Sequence, residues 1–448
     1  MATQAADTSD EQGAAAPVYR TSPTAVEALE AHLAEHPEDL PVHTQEWDVS
    51  RSDIYVEDRW QPIFAEMRRK EPINKVTGSP YGDYWNVTSH KAIQHVEALP
   101  DIFSSSWKNG GITILDRHDD TVEDQRFELP MFIAMDRPEH TGQRRTVAPA
   151  FTPAEMTRLA DDLRARTGEV LDSLPYGETF DWVEKVSIEL TTQMLAILFD
   201  FPWKDRHLLS FWSDWAGDTE VALIPGLDEM RHTMLMEMAA YFTQLWHERA
   251  DAGEAPDLIS RMIHSEAMNA MSPQEYMGNL VLLIVGGNDT TRNTMSGIVH
   301  AMDAFPDQRA LFESDPSVIP NAVQECIRFQ TPLAHMRRTA TEDTDLFGHQ
   351  VKAGEKLVLW YLSANRDEAV FDNPDTLDFT RENARRHLAF GYGIHRCVGA
   401  RLAELQLRIL LEEMHVRRMR VKVVGKVERV RANFVHGFRK LEVQLEKF

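Results

Sequence analysis

Cysteine is almost missing from this 448-residue chain, which holds Cys326 and Cys397 and no other. Two thiols cannot build a disulfide framework, and they suit a reducing compartment. Basic residues are in deficit as well. Lysine and arginine number 47 against 71 acids, a net charge of −24. Generic nucleic-acid binding is thereby excluded, because phosphates need a basic footprint, and an acidic partner would need a local basic patch. Long hydrophobic runs are also lacking. The longest, 276–288, stops at Asp289, short of the roughly 18 apolar residues that cross a bilayer. The first eleven residues carry neither the basic start nor the apolar core of a signal peptide. These absences lead us to expect a soluble, cytoplasmic protein.

What remains is ordinary globular material, 43% hydrophobic and 26% charged, enough to bury a large core. No internal repeat or long low-complexity linker divides it. Residues 1–20 are rich in Ala, Thr, Asp and Gln without periodicity. We therefore expect a partly mobile extension over 1–45 and a single catalytic domain over 46–448. Helical patterning predicts helices over 154–174, 182–198, 228–250, 274–305 and 400–415. Strands are expected at 85–87, 356–362 and in a terminal group over 421–445 containing a turn at His436-Gly437. The class is mainly α with a smaller β region.

The sharpest stretch is Phe390-Gly391-Tyr392-Gly393-Ile394-His395-Arg396-Cys397-Val398-Gly399. Three glycines let the backbone pass close to a bulky ligand. A cysteine here faces the positive end of the helix expected from Ala400 and nearby backbone N–H groups, both of which favour a thiolate. The bland alternative is a small buried cysteine. A dinucleotide loop fails, because Arg396 stands where the third glycine is needed. Zinc spacings and the Cys-x-x-Cys-His of covalent haem attachment do not occur.

This loop resembles, position by position, the haem-thiolate signature of the cytochromes P-450. The resemblance implies their fold, a prism-shaped helical domain, and a non-covalent haem b with Cys397 as its axial iron ligand. Phe390, Gly391, His395 and Gly399 would shape the haem site.

Other segments fit the same family. Glu325 and Arg328 lie three apart on one helical face. Taken alone they are a surface pair worth about 0.2–0.5 kcal/mol. By resemblance they are a structural pair that locks to a later arginine, here Arg381. A capping box at Ser272 to Glu275 opens a helix that runs through the apolar stretch 280–285 into Gly286-Gly287-Asn288-Asp289-Thr290-Thr291. Mid-helix glycines cost about 1 kcal/mol each, and a buried acid costs more unless paired. A tolerated kink beneath a neighbouring helix is one explanation. The resemblance offers another: small residues make room for O2, while Asp289 and Thr290 relay protons. His140 and Arg144, one helical turn apart, resemble the family's propionate partners, together with Arg338 and His395.

Function follows from the resemblance. It implies a monooxygenase that inserts one oxygen atom from O2 into a C–H bond, and it places the chain near the bacterial branch hydroxylating alkanes and fatty acids at the terminal carbon. Ile112, Ile114, Val285, Gly286 and Leu333 are the expected walls of a hydrophobic small-molecule pocket. Hydroxylation of a terpenoid is the alternative, and a haem-based gas sensor or carrier is the non-enzymatic one. Electrons would come from a two-iron ferredoxin and its reductase, and the chain is expected to act as a monomer. Nine arginines stand against five acids over 378–420, and Arg385, Arg386, Arg396 and Arg401, with Arg144 or Arg145, are the expected docking group.

Overall fold

Ser272 accepts the backbone N–H of Glu275 at 3.2 Å, Pro273 opens the first turn, and a helix of 32 residues follows, Pro273–Ala304. The other half of the expected capping box is not made, because Glu275 takes the side-chain amide of Gln143 instead. The computed structural model describes residues 22–115, 129–218 and 220–448. The segment 1–20, expected to be mobile, lies outside the described residues.

The helices that frame the site are, in chain order, α1 (His90–Ala98), α2 (Glu139–Val147), α3 (Pro153–Asp172), α4 (Glu189–Phe199), α5 (His207–Gly217), α6 (Pro225–Ala250), α7 (Pro273–Ala304), α8 (Ile319–Gln330) and α9 (Ala400–Val416). Helix α7 runs through the interior and packs against α4, α5, α8 and α9. The helix expected over 182–198 is interrupted. Its first part, Val183–Ile188, is π-helical. That wider turn faces α7, where Ser187 and Ser296 are hydrogen-bonded at 2.9 Å.

Helix α9 is apolar on two sides, which decides its place. Leu402, Leu405 and Ile409 join one hydrophobic core, while Leu407, Leu410, Leu411 and Met414 join another. At about 1.5–3 kcal/mol per buried side chain, these seven fix α9 between the two cores.

A five-stranded sheet stands beside the helices. Its strands are β1 (Ile73–Val76), β2 (Tyr84–Val87), β3 (Phe103–Ser104), β4 (His335–Ala340) and β5 (Lys356–Trp360), in the order β1-β2-β5-β4-β3. The β2/β5 pair is parallel and the other pairs are antiparallel. The strand expected over 356–362 ends at Trp360, because Tyr361–Ala364 turns into a short helix. At the C-terminus, Met419–Val423 and Phe180–Asp181 flank Glu442–Lys447. His436-Gly437 is not a hairpin turn. The segment runs past α7, where Asn293 accepts the Phe438 N–H at 2.8 Å and fills the space a Cβ on Gly437 would need. Within 1–45, the helix Ala25–Glu35 is capped by Thr24 and packs Ala25, Ala28 and Leu29 with Trp215 of α5 and Leu227 and Met234 of α6.

Candidate active site

A cavity of about 340 Å³ lies between α7 and the loop that leads into α9. Cys397, Phe390, Gly391, His395 and Gly399 line it. The loop is tied to itself, since the Cys397 N–H donates to the Phe390 carbonyl at 2.8 Å. Gly393 is required twice over: its φ is +67°, and a Cβ there would stand 2.2 Å from the Glu97 carbonyl. The Gly399 and Ala400 amides, with Arg144 and Arg396, favour the thiolate as the sequence predicts, yet burial outweighs them and pushes the Cys397 thiol up. Cys326 lies in the core on α8, away from the cavity.

Beside the cysteine, two arginines and two imidazoles gather, and among the described residues only Arg338 of these is paired with an acid, Glu97. Arg144, Arg338 and His395 line the cavity, and the His140 ring stands 4.3 Å from that of His395. Both nitrogens of both imidazoles are buried without a hydrogen-bond partner among the described residues. Burial, then Arg144 and Arg137, lowers His140 to about 4, while burial and Arg338 lower His395 to about 2. Such orphaned donors are costly unless something fills the space between them.

Across the cavity, α7 contributes Val285, Gly286, Asp289 and Thr290. The two glycines divide the tasks suggested for them. Gly287 admits Leu195 of α4, whose side chain would lie 2.8 Å from a Cβ at that position, whereas nothing would come within 4 Å of one at Gly286. Close packing and an open pocket are therefore both present. Thr290 donates its hydroxyl to the Gly286 carbonyl at 2.8 Å. Asp289 accepts from Ser213 at 3.0 Å, Asn288 at 3.2 Å and Arg292 at 2.9 Å, and Arg292 also pairs with Asp214 at 2.8 Å. Burial raises Asp289 above the usual carboxylate range, while Arg292 opposes it.

The cytochrome P450 family model matches residues 317–440. The chain is 34% identical over 403 residues to linalool 8-monooxygenase of Pseudomonas putida, spanning 89% of this chain and 98% of that protein. The chain belongs to the cytochrome P450 family. A second P450 relative is the steroid C26-monooxygenase of Mycolicibacterium smegmatis, 33% identical over 85% of this chain and 89% of that one. Among solved structures, cytochrome P450-153 from Novosphingobium aromaticivorans matches with a TM-score of 0.86 at 72% identity, covering 90% of this chain and all of that one. CYP153D17 from Sphingomonas matches with a TM-score of 0.85 at 60% identity, over 89% and 99% of the two chains. The protein is a P450 monooxygenase.

P450 enzymes carry haem b non-covalently, with a cysteine thiolate on the iron. The residues here fit that group. Cys397 opens into the cavity, and the imidazoles of His140 and His395 with Arg144 and Arg338 offer the donors that two propionates require. The reading of Glu325 and Arg328 as a surface pair fails. Both are fully buried, and Arg381 joins them at 3.1 Å. Of the expected substrate walls, Ile112, Val285, Gly286 and Leu333 line the cavity. Ile114 does not. It is buried among Tyr55, Trp60 and Val358, and its carbonyl accepts Lys356 Nζ at 2.9 Å.

Sequence reading missed Ser213, which reaches Asp289 from α5, Asp214, which reaches Arg292 from the same helix, and Glu97, which reaches the cysteine loop from α1. Only Arg292, three residues beyond Asp289, carried a signal in the spacing. No helix among the described residues is long and apolar enough to cross a membrane.

Proposed function

We propose that this P450 hydroxylates the terminal carbon of a medium-chain alkane or fatty acid, with electrons from a two-iron ferredoxin and its reductase. The observation that carries this reading is the wall around Gly286. Open space lies above that glycine, and Ile112, Val285 and Leu333 line the same cavity as Thr290, so it can receive an apolar chain end. A terminal C–H bond is stronger than an internal one, so selectivity has to come from positioning. Resemblance to the alkane and fatty-acid branch supports it. The names of two relatives point to carbon 8 of linalool and carbon 26 of a steroid, both chain-end carbons. The first of these also supports a terpenoid as the second reading.

Bound haem supplies the iron at which O2 is activated for insertion into a C–H bond. The chain's own groups do the rest. Cys397 would hold the iron, and His140, Arg144, Arg338 and His395 would hold the propionates. Asp289 stands next to the cavity, and burial raises its pKa to about 6, close enough to neutral pH for the carboxyl to take up and pass on a proton. Ser213, Asn288 and Arg292 fix its Oδ1, and its Oδ2 faces Gly217, where a Cβ would come within 2.8 Å. Thr290 presents its hydroxyl at the cavity surface. On the cysteine side, Arg385, Arg386, Arg396, Arg401 and Arg145 are exposed, and none is ion-paired among the described residues. These unpaired charges are what docking to an acidic ferredoxin would draw on.

The experiment is a Soret titration of the haem-loaded enzyme with n-alkanes, fatty acids and linalool, followed by product analysis with a ferredoxin system. Linear chains should shift the Soret band and yield primary alcohols. Binding and turnover of linalool alone would replace this reading with the terpenoid one.

A further inference from the structure

Glu97 is a charged residue buried beside the cavity, and the chemistry above gives it no task. It lies in the last turn of α1, its side chain is 1% exposed, and it borders two cavities, the central one and a second of about 280 Å³. Both carboxylate oxygens are engaged. Oε1 accepts Nη2 of Arg338 at 3.0 Å and the Tyr361 hydroxyl at 2.7 Å, while Oε2 accepts the Tyr392 N–H at 2.9 Å. Tyr392 belongs to the cysteine loop, and the Glu97 carbonyl also abuts Gly393 of that loop. One residue thus grips the loop by side chain and by main chain.

Its ionisation state follows from its partners. Burial favours the protonated form and Arg338 opposes it. The Arg338 guanidinium and the Tyr392 amide can only donate, and each takes a different oxygen. A carboxylate satisfies both, with the Tyr361 hydroxyl as a third donor.

Arg338 is therefore shared. Among the described residues it is the one member of the propionate set with an acidic partner. Arg144 donates to the Arg396 carbonyl, and the two imidazoles have no partner. We propose that Glu97 is a positioning residue for the haem: it holds Arg338 and the cysteine loop in one frame, and its charge lowers the reduction potential of the iron. The sign comes from Coulomb's law. Reduction adds negative charge at the iron, and a fixed carboxylate in the same low-dielectric region opposes that gain.

The test is the midpoint potential of the substrate-free, haem-loaded enzyme, measured by spectroelectrochemistry alongside thermal stability. Glu97→Gln keeps size and removes charge, so the potential should rise. Glu97→Asp keeps the charge, so the potential should stay nearer the wild-type value than that of Glu97→Gln, even where the melting temperature falls. A lower melting temperature with unchanged or lower potential in Glu97→Gln would overturn the proposal, because a purely structural contact moves stability alone. If Glu97→Gln does not retain haem, Arg338→Gln is compared with Glu97→Gln/Arg338→Gln. Loss of the cation alone should lower the potential, and loss of both should bring it back up. Equal potentials in those two variants would refute the inference.

Discussion

Glu325→Gln should cost more stability than any single surface change, and its size follows from the contacts. Glu325 accepts Nε and Nη2 of Arg328 at 2.7 Å each, Nε of Arg381 at 3.1 Å to both oxygens, and the Asp378 N–H at 3.0 Å. Arg328 and Arg381 are buried, and a third buried guanidinium, Arg366, lies close enough that burial and Arg328 pull its pKa down to about 9. The substitution keeps the shape but removes the carboxylate that balances this group. Breaking a buried pair by removing one partner costs about 3–5 kcal/mol. Unfolding entropy of about 2.1 cal/mol/K per residue gives roughly 0.9 kcal/mol/K for a chain of this length, so the melting temperature should fall by about 3–5 °C. The damage should also reach the cysteine. Arg328 donates to the Asn365 carbonyl at 2.8 Å, and Asn365 Oδ1 accepts the Leu388 N–H at 2.7 Å, at the start of the loop. A thermal ramp that follows both unfolding and the thiolate-type reduced-CO band measures the two effects together. Arg408→Ala breaks a half-exposed pair with Glu412 and should shift melting by less than about 1 °C. If Glu325→Gln melted with that control and kept the band, the triad would not hold the haem face.

Cys397→Ser should abolish the reduced-CO band and hydroxylation, whereas Cys326→Ser should leave both nearly intact; equal loss in the two variants would remove the assignment. Thr290→Ala should uncouple turnover, with NADH consumed and peroxide released in place of product, and Asp289→Asn should slow turnover instead, because the relay loses its titrating carboxyl. Wild-type rate and coupling in both would place the relay elsewhere. Ferredoxin-supported turnover should weaken as salt rises, and Arg385→Glu/Arg386→Glu should raise the apparent ferredoxin KM; a flat salt response with unchanged KM would refute docking on this face. Stability should fall on acidification. Burial lowers His335 to about 3, His387 to about 3, His300 to about 4 and His436 to about 4. Folded-state values below the unfolded 6.5 mean stability is lost as pH falls from 6.5 towards those values, about 2 kcal/mol per histidine by pH 5. Melting curves at pH 7 and 5 check this, and equal midpoints would contradict it.

The cysteine side of the site was legible because its chemistry is local. Glycines, a cysteine and a helix start fall within ten residues, and each has a short-range physical meaning. Helices α3, α7 and α9 were legible for a similar reason, since apolar periodicity, and for α3 and α7 a capping hydroxyl, is written along one segment. Strand β4 was not. Its sequence, His335 to Ala340, shows no clean alternation, and it carries Arg337 and Arg338 in buried positions. Those arginines are tolerated because carbonyls at Asn109 and Leu115 and the carboxylate of Glu97 receive them, partners more than 200 positions away. Ile114 illustrates the same limit in reverse. Next to Thr113 and two residues from Ile112, it has the right chemistry for a pocket wall, but the segment turns it towards Trp60.

The distal side shows why a motif can name an acid without showing how the acid is controlled. Asp289 and Thr290 were readable as neighbours in sequence, yet they are not hydrogen-bonded to each other in the structure. Asp289 is instead held from α5 by Ser213, and through Arg292 by Asp214. Arg292 stabilises the ionised form of Asp289 while Asp214 opposes it, so the proton on Asp289 depends on where α5 sits. Helix α5 is also the element against which the helix Ala25–Glu35 packs. The spacing of α7 supplies the acid, but the packing of a separate helix sets its proton affinity, and that contribution has no local signature.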